Sequence, residues 1–161
     1  MLLQIGGFID KYIGDAIMAL FVCADDALRA GLAMLDTLDQ FNAGRRAAGR
    51  EPIAIGIGIN SGSLMLGTIG ERHRMDGTVI SDAVNLASRV ESLTKDYRKP
   101  LLISEFTRRA LGDPAAYDIH PVDMVVVKGK TRPVMIHEVR RGTPPLAAAT
   151  PLARAEEARA P

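Results

Sequence analysis

F-I-D-K-Y-I-G-D-A-I-M-A-L-F, from Phe8 to Phe21, decides how the chain is read. Phe8-Ile9 and Tyr12-Ile13 lead in, Gly14-Asp15 interrupts, and Ala16 to Phe21 is continuously apolar. Two short β-prone runs separated by two residues, the first of them glycine, predict a hairpin. Glycine at the first central position suits a type II′ turn, because only glycine reaches positive φ there without strain. The Asp15 carboxylate then stands at the hairpin tip, with Lys11 four residues earlier. A carboxylate so placed can hold a hard cation, and a nearby lysine can donate to a base or a phosphate. Aspartate also favours turns for its own reasons, so the stretch alone leaves both readings open.

Working outward, Asp25 or Asp26 can cap a helix running to about Ala43. Ala27, Leu28, Leu32, Leu35 and Leu38 recur at helical spacing, and Gly44 is the expected stop. Pro52 opens a predicted strand, Ile53 to Ile59, with isoleucine at every second position. Its alternate face carries Ala54, Gly56 and Gly58, so something must approach that face closely. Asn60-Ser61-Gly62 leads into a strand ending near Ile69, and Gly70 to Gly77 is a polar loop. Ser81 to Leu93 reads as a helix whose stripe of Ala83, Leu86, Ala87, Val90 and Leu93 is core. Asn85 and Arg89 share its opposite face, one turn apart. Arg89 offers a planar fork of donors suited to phosphate oxygens, and Asn85 a neutral donor and acceptor beside it. Leu101 to Ile103 is a short buried strand, and Ser104 caps a helix from Glu105 to Leu111. Tyr117 to Val127 holds one or two strands, Lys128-Gly129-Lys130 turns the chain, and Pro133 to Val139 is the last strand. Met1 to Ile5 reads as the last turn of a helix. From 142 to 161 the composition shifts to proline and alanine, as in a disordered tail.

The bulk properties exclude several classes of function. With 161 residues, 47% hydrophobic and 24% charged, the chain fits one soluble globular domain. A net charge of +1 gives no bulk attraction to nucleic acid or an anionic membrane. Tryptophan is absent and aromatics are 4%, which argues against base stacking. No apolar run approaches the roughly 18 residues of a membrane span, so a cytoplasmic location is expected. The single Cys23 excludes an intramolecular disulfide and is expected to be a small buried hydrophobe.

K-Y-I-G-D-A-I-M-A-L-F resembles the metal-binding hairpin of the class III nucleotidyl cyclases, the family of adenylate and guanylate cyclases. T-V-I-S-D-A-V-N-L-A-S-R-V-E, from Thr78 to Glu91, resembles that family's catalytic helix. V-V-V-K-G-K-T-R-P-V, from Val125, resembles its phosphate-binding strand end. The three blocks stand in the family's order, over about Gly6 to Val139. The resemblance implies an α+β fold, a ferredoxin-like sandwich in which an antiparallel-rich sheet is covered by helices. It also implies a catalytic domain over 1–141, incomplete at its N-terminus.

The implied chemistry is attack of a ribose 3′-hydroxyl on the α-phosphorus of ATP, giving cyclic AMP and pyrophosphate. In the family two aspartates carry two divalent ions, Mg²⁺ or Mn²⁺, and Asp15 matches the second. The first belongs to an opening strand that the sequence lacks, so a first strand and helix are expected to be missing and this chain by itself is expected to be inactive or weak as a cyclase. Asp10 is not its replacement, because it lies on the hairpin strand itself. Lys11 matches the lysine that reads the purine edge, and Thr78 its partner. Asn85 matches the residue that orients the ribose, and Arg89 the one that stabilises charge on the α-phosphate. Lys128 matches the lysine on the terminal phosphates, with Lys130 as the fallback. Lys11 with Thr78 favours adenine, since lysine can donate to ring N1 and threonine can accept from the exocyclic amine. The family also implies a homodimer with shared sites and fused or associated regulatory domains. A silent cyclase-like binding module and a guanylate cyclase are the alternative expectations.

Overall fold

The computed structural model describes residues 6–69, 76–80, 82–126 and 133–142, with backbone alone for 65–69 and 76–80. The expected helical turn before Gly6, His73, Ser81, Lys128, Lys130 and the tail beyond 142 lie outside the described residues.

The hairpin forms as the turn chemistry dictates. Strand β1 (Gly7–Ile13) pairs antiparallel with β2 (Ala16–Phe21) as a two-stranded sheet. Gly14 adopts φ +63° and Asp15 stays at negative φ, the combination that a type II′ turn requires. The register slips once. Ile9 faces Ala19 and Lys11 faces Met18, so Asp10 is an extra residue in a β-bulge.

Helix α1 (Ala24–Ala47) starts and ends differently from the expectation. Neither Asp25 nor Asp26 is its cap: Cys23 holds that position in extended backbone, and its side chain makes no capping bond. Cys23 is exposed there rather than buried, because the chain leaves the sheet at Val22, which is fully exposed. The Asp25 carboxylate instead accepts from the Tyr117 hydroxyl and the Gly112 amide, both at 3.0 Å. Burial, together with that bond to Asp25, pushes the Tyr117 phenol up to about 12. At its other end the helix runs straight through Gly44 and stops at Gly49, where φ is +67°. Gly49 N donates to Arg46 O at 3.0 Å and Arg50 N to Arg45 O at 2.8 Å. That pair of bonds is a Schellman stop, and it needs the left-handed residue at Gly49 rather than Gly44.

The isoleucine alternation from Ile53 yields only a short strand, β3 (Ile57–Ile59). The buried Asn42 side chain intercepts the chain earlier, donating to Ile53 O at 2.7 Å and accepting from Ile53 N at 2.8 Å. Those two groups are then unavailable to a ladder. Strands β4 (Met65–Ile69) and β5 (Asp76–Ile80) form a separate antiparallel pair. Helix α2 (Asp82–Tyr97) outruns its predicted end by about one turn. Strand β6 (Leu101–Ser104) leads directly into α3 (Glu105–Ala110), whose cap is the predicted Ser104, accepting from Thr107 N at 3.2 Å. Tyr117 to Val127 resolves into one bulged strand, β7 (Asp118–Val125), followed by β8 (Val134–Arg140).

The main sheet runs β3-β6-β8-β7, with β3 parallel to β6 and β8 antiparallel to both its neighbours. Leu101, Leu102 and Ile103 are fully buried because β6 is covered on both faces. Leu101 and Ile103 meet Leu28 and Leu35 of α1, with Leu111 and Val139. Leu102 meets Leu86, Val90 and Leu93 of α2, with Val125, Val134 and Ile136. Each such fully buried aliphatic side chain contributes about 1.5–3 kcal/mol relative to exposure. The architecture is the expected α+β one, an antiparallel-rich sheet under helices. Among the described residues no helix is long and apolar enough to cross a membrane.

Candidate active site on the hairpin and helix α2

The position of α2 is set by two glycines. A Cβ on Gly58 would lie 2.6 Å from Glu91 Cα and 2.7 Å from Ala87 O. One on Gly56 would lie 3.1 Å from Thr94 Cβ. The backbone of α2 therefore rests directly on β3, as the small-residue face of that strand predicted. With Leu86, Val90 and Leu93 turned into the core, Asn85 and Arg89 are carried on the exposed face. Neither has a hydrogen-bond or ion-pair partner among the described residues, so both side chains are available to a ligand.

A polar node fixes the start of that helix, and the sequence reading missed it. Asn60, just past β3, donates to Ala83 O in the first turn of α2 at 2.9 Å. Its carbonyl oxygen accepts from Ser104 Oγ at 2.7 Å. Thr107 Oγ1 donates to Ile59 O at 3.2 Å and meets Ser104 Oγ at 3.3 Å. Ser104 and Thr107 are fully buried, so these bonds satisfy groups that would otherwise be costly to bury. An Asn closing a strand ahead of a glycine was the available signal, but it read as a turn.

On the hairpin, Asp15 is exposed at the tip and makes no hydrogen bond among the described residues. Lys11 follows the bulge and pairs with the Asp10 carboxylate, Nζ to Oδ2, at 3.3 Å. Thr78 lies on β5 opposite Gly67. The hairpin packs on α1 through β2, whereas α2 packs on β3 and β6. The structure thus groups Asp15 with Lys11, and Asn85 with Arg89. No hydrogen bond or ion pair joins Asn85 or Arg89 to a hairpin residue among the described residues.

The donor set bears on metal binding. Among the described residues no group of three or more His, Cys, Asp or Glu side chains could hold a metal by itself. Magnesium-type ions are commonly bound through one or two carboxylates, the remaining ligands being water and substrate phosphates. An exposed, unpartnered Asp15 fits that role as one protein ligand.

Comparison with known proteins gives a consistent result. Residues 11–139 match the family model described as "Adenylate and Guanylate cyclase catalytic domain". The chain is 47% identical over 144 residues to an adenylate cyclase of Anabaena cylindrica, covering 85% of this chain and 29% of that protein. It is 44% identical over 145 residues to the terminal-differentiation-specific adenylate cyclase of Dictyostelium discoideum, covering 85% of this chain and 7% of that one. The chain therefore spans less than a third of either relative. Among solved structures, the guanylyl cyclase Cya2 superposes with a TM-score of 0.70 at 33% identity, over 91% of this chain and 76% of that one.

Proposed function

Because the chain belongs to the adenylate and guanylate cyclase catalytic domain family, we propose that it is the catalytic domain of an adenylate cyclase acting in cyclic-nucleotide signalling. Its substrate is ATP and its products are 3′,5′-cyclic AMP and pyrophosphate. The observation that carries this reading is the hairpin, which presents an unpartnered Asp15 in its turn and Lys11 on β1. The two relatives named adenylate cyclases, at 47% and 44% identity, support the choice of ATP over GTP.

Asp15 would supply one of the two aspartates that hold divalent metal, Mg²⁺ or Mn²⁺, with two ions per complete site. When bound, the ions lower the pKa of the attacking hydroxyl and neutralise the leaving phosphates. The rest of the work falls to side chains that position and neutralise. Asn85 orients the ribose so that its 3′-oxygen faces the α-phosphorus. Arg89 places its fork against the α-phosphate oxygens, where negative charge builds as the bond to pyrophosphate breaks. Lys11 donates to N1 of adenine and Thr78 accepts from the exocyclic amine. Lys128 holds the terminal phosphates.

The site is shared between two copies of the chain. Asp15 of one copy serves the nucleotide held by Lys11, Thr78, Asn85, Arg89 and Lys128 of the other, so a homodimer carries two equivalent sites. Regulatory domains fused to or associated with the chain, and a cytoplasmic location, complete the proposal.

The test uses the protein with the expected opening strand in place, supplies ATP or GTP at equal concentration with Mg²⁺ or Mn²⁺, and measures both cyclic nucleotides. Cyclic AMP should form at least about ten-fold faster than cyclic GMP, a discrimination of about 1.4 kcal/mol. Faster cyclic GMP formation would make the protein a guanylate cyclase. Binding of ATP without turnover would make it a silent nucleotide-binding module.

A further inference from the structure

In a regular strand, neighbouring side chains point to opposite faces, so Asp10 and Lys11 could not meet. They meet here, with Lys11 Nζ 3.3 Å from Asp10 Oδ2, because the bulge between Ile9 and Lys11 breaks the alternation. The Asp10 side chain is only 11% exposed, and its Oδ2 is withdrawn from solvent with no hydrogen-bond partner among the described residues. A carboxylate withdrawn from water without donors is costly unless a positive charge offsets it. The Lys11 ammonium is the charge at hand, and Lys11 itself remains 35% exposed, so its head is not consumed by burial.

We propose that Asp10 is a positioning residue for Lys11. It holds the ammonium at one place on the hairpin surface, so that the lysine meets the purine edge already ordered. A lysine left to itself on an exposed strand samples many rotamers, and ordering it on binding costs affinity. An anchored lysine avoids that cost, and the bulge is the backbone device that makes the anchor possible. The inference rests on the proposal that Lys11 faces the purine. It adds a residue to which the family resemblance gave no role beyond excluding it as a metal ligand.

The experiment measures kcat and KM for ATP in the protein, together with binding of fluorescent ATP and GTP analogues. The variants are Asp10→Asn, Asp10→Glu and Lys11→Met. Asp10→Asn should raise KM and the dissociation constant for the adenine nucleotide about ten-fold while kcat stays within about two-fold, the pattern of lost binding rather than lost chemistry. Asp10→Glu should recover most of that loss, and GTP analogue binding should change little in either variant. If Lys11→Met weakens adenine binding and Asp10→Asn does not, the positioning role is overturned while the purine reading stands. If Lys11→Met leaves adenine binding unchanged, both fall. A parallel drop in kcat and in the binding of both nucleotides in Asp10→Asn, with no rescue by Asp10→Glu, would mean that the pair only folds the hairpin.

Discussion

Asp15→Asn is expected to lower cyclic AMP formation by roughly a hundred-fold or more at saturating metal, with the fold intact. The amide is isosteric with the carboxylate but neutral, so it ligates a hard divalent cation poorly. The hairpin should survive the change. Asp15 is exposed, has no hydrogen-bond partner among the described residues, and occupies a turn position that asparagine also favours. Far-ultraviolet circular dichroism and the melting temperature serve as the folding controls. Activity within a few-fold of the parent protein, at unchanged melting temperature, would reduce Asp15 to a turn residue and remove the metal role.

Gly58→Val is expected to be the most damaging change to the fold. Its Cβ would stand 2.6 Å from Glu91 Cα and 2.7 Å from Ala87 O, both on the backbone of α2, so no side-chain rotation relieves the overlap. The helix must lift from β3, which uncovers Leu86, Val90 and Leu93 and displaces Asn85 and Arg89 with them. A cost of about 3 kcal/mol or more follows, a large part of the stability of a domain of this size. Gly44→Ala is the contrasting change. It meets nothing within 4 Å inside α1 and should stabilise by up to about 1 kcal/mol. Urea or thermal unfolding of the two variants checks both signs. A Gly58→Val protein that unfolds at the parent's midpoint would contradict the packing of α2 on β3.

The parts legible in the sequence were those governed by local chemistry. Gly14 announced its turn because no other residue takes φ +63° cheaply, and Ser104 announced α3 because its hydroxyl caps Thr107 N. Gly56 and Gly58 correctly signalled a close approach, although not that α2 would be the element approaching. The misreadings came from partners distant in sequence. Asn42 takes the backbone of Ile53 across eleven residues and shortens an alternating run that by itself reads as a seven-residue strand. Gly44 and Gly49 look alike as stops, and only the bonds to Arg45 and Arg46 select Gly49. Cys23 has the residue type of a core position, yet the chain path through Val22 leaves it exposed. On the site side, the resemblance pointed to Lys11 and Asp15 on the hairpin and to Asn85 and Arg89 on the helix. The bulge at Asp10 was invisible, because a bulge is a mismatch between two strands and appears in neither alone.

The central claim, that Asp15 and Arg89 act in one site from two copies of the chain, is tested most directly by mixing. The protein carrying Asp15→Asn and the protein carrying Arg89→Ala should each be inactive as a homodimer. A mixed dimer has one site with both lesions and one with neither. Random exchange makes about half of the dimers mixed, so recovery should approach roughly a quarter of the parent's cyclic AMP formation. Co-purification of two differently tagged chains establishes that exchange has occurred. Mixed dimers that form and yet produce no cyclic AMP at any ratio would contradict the shared site.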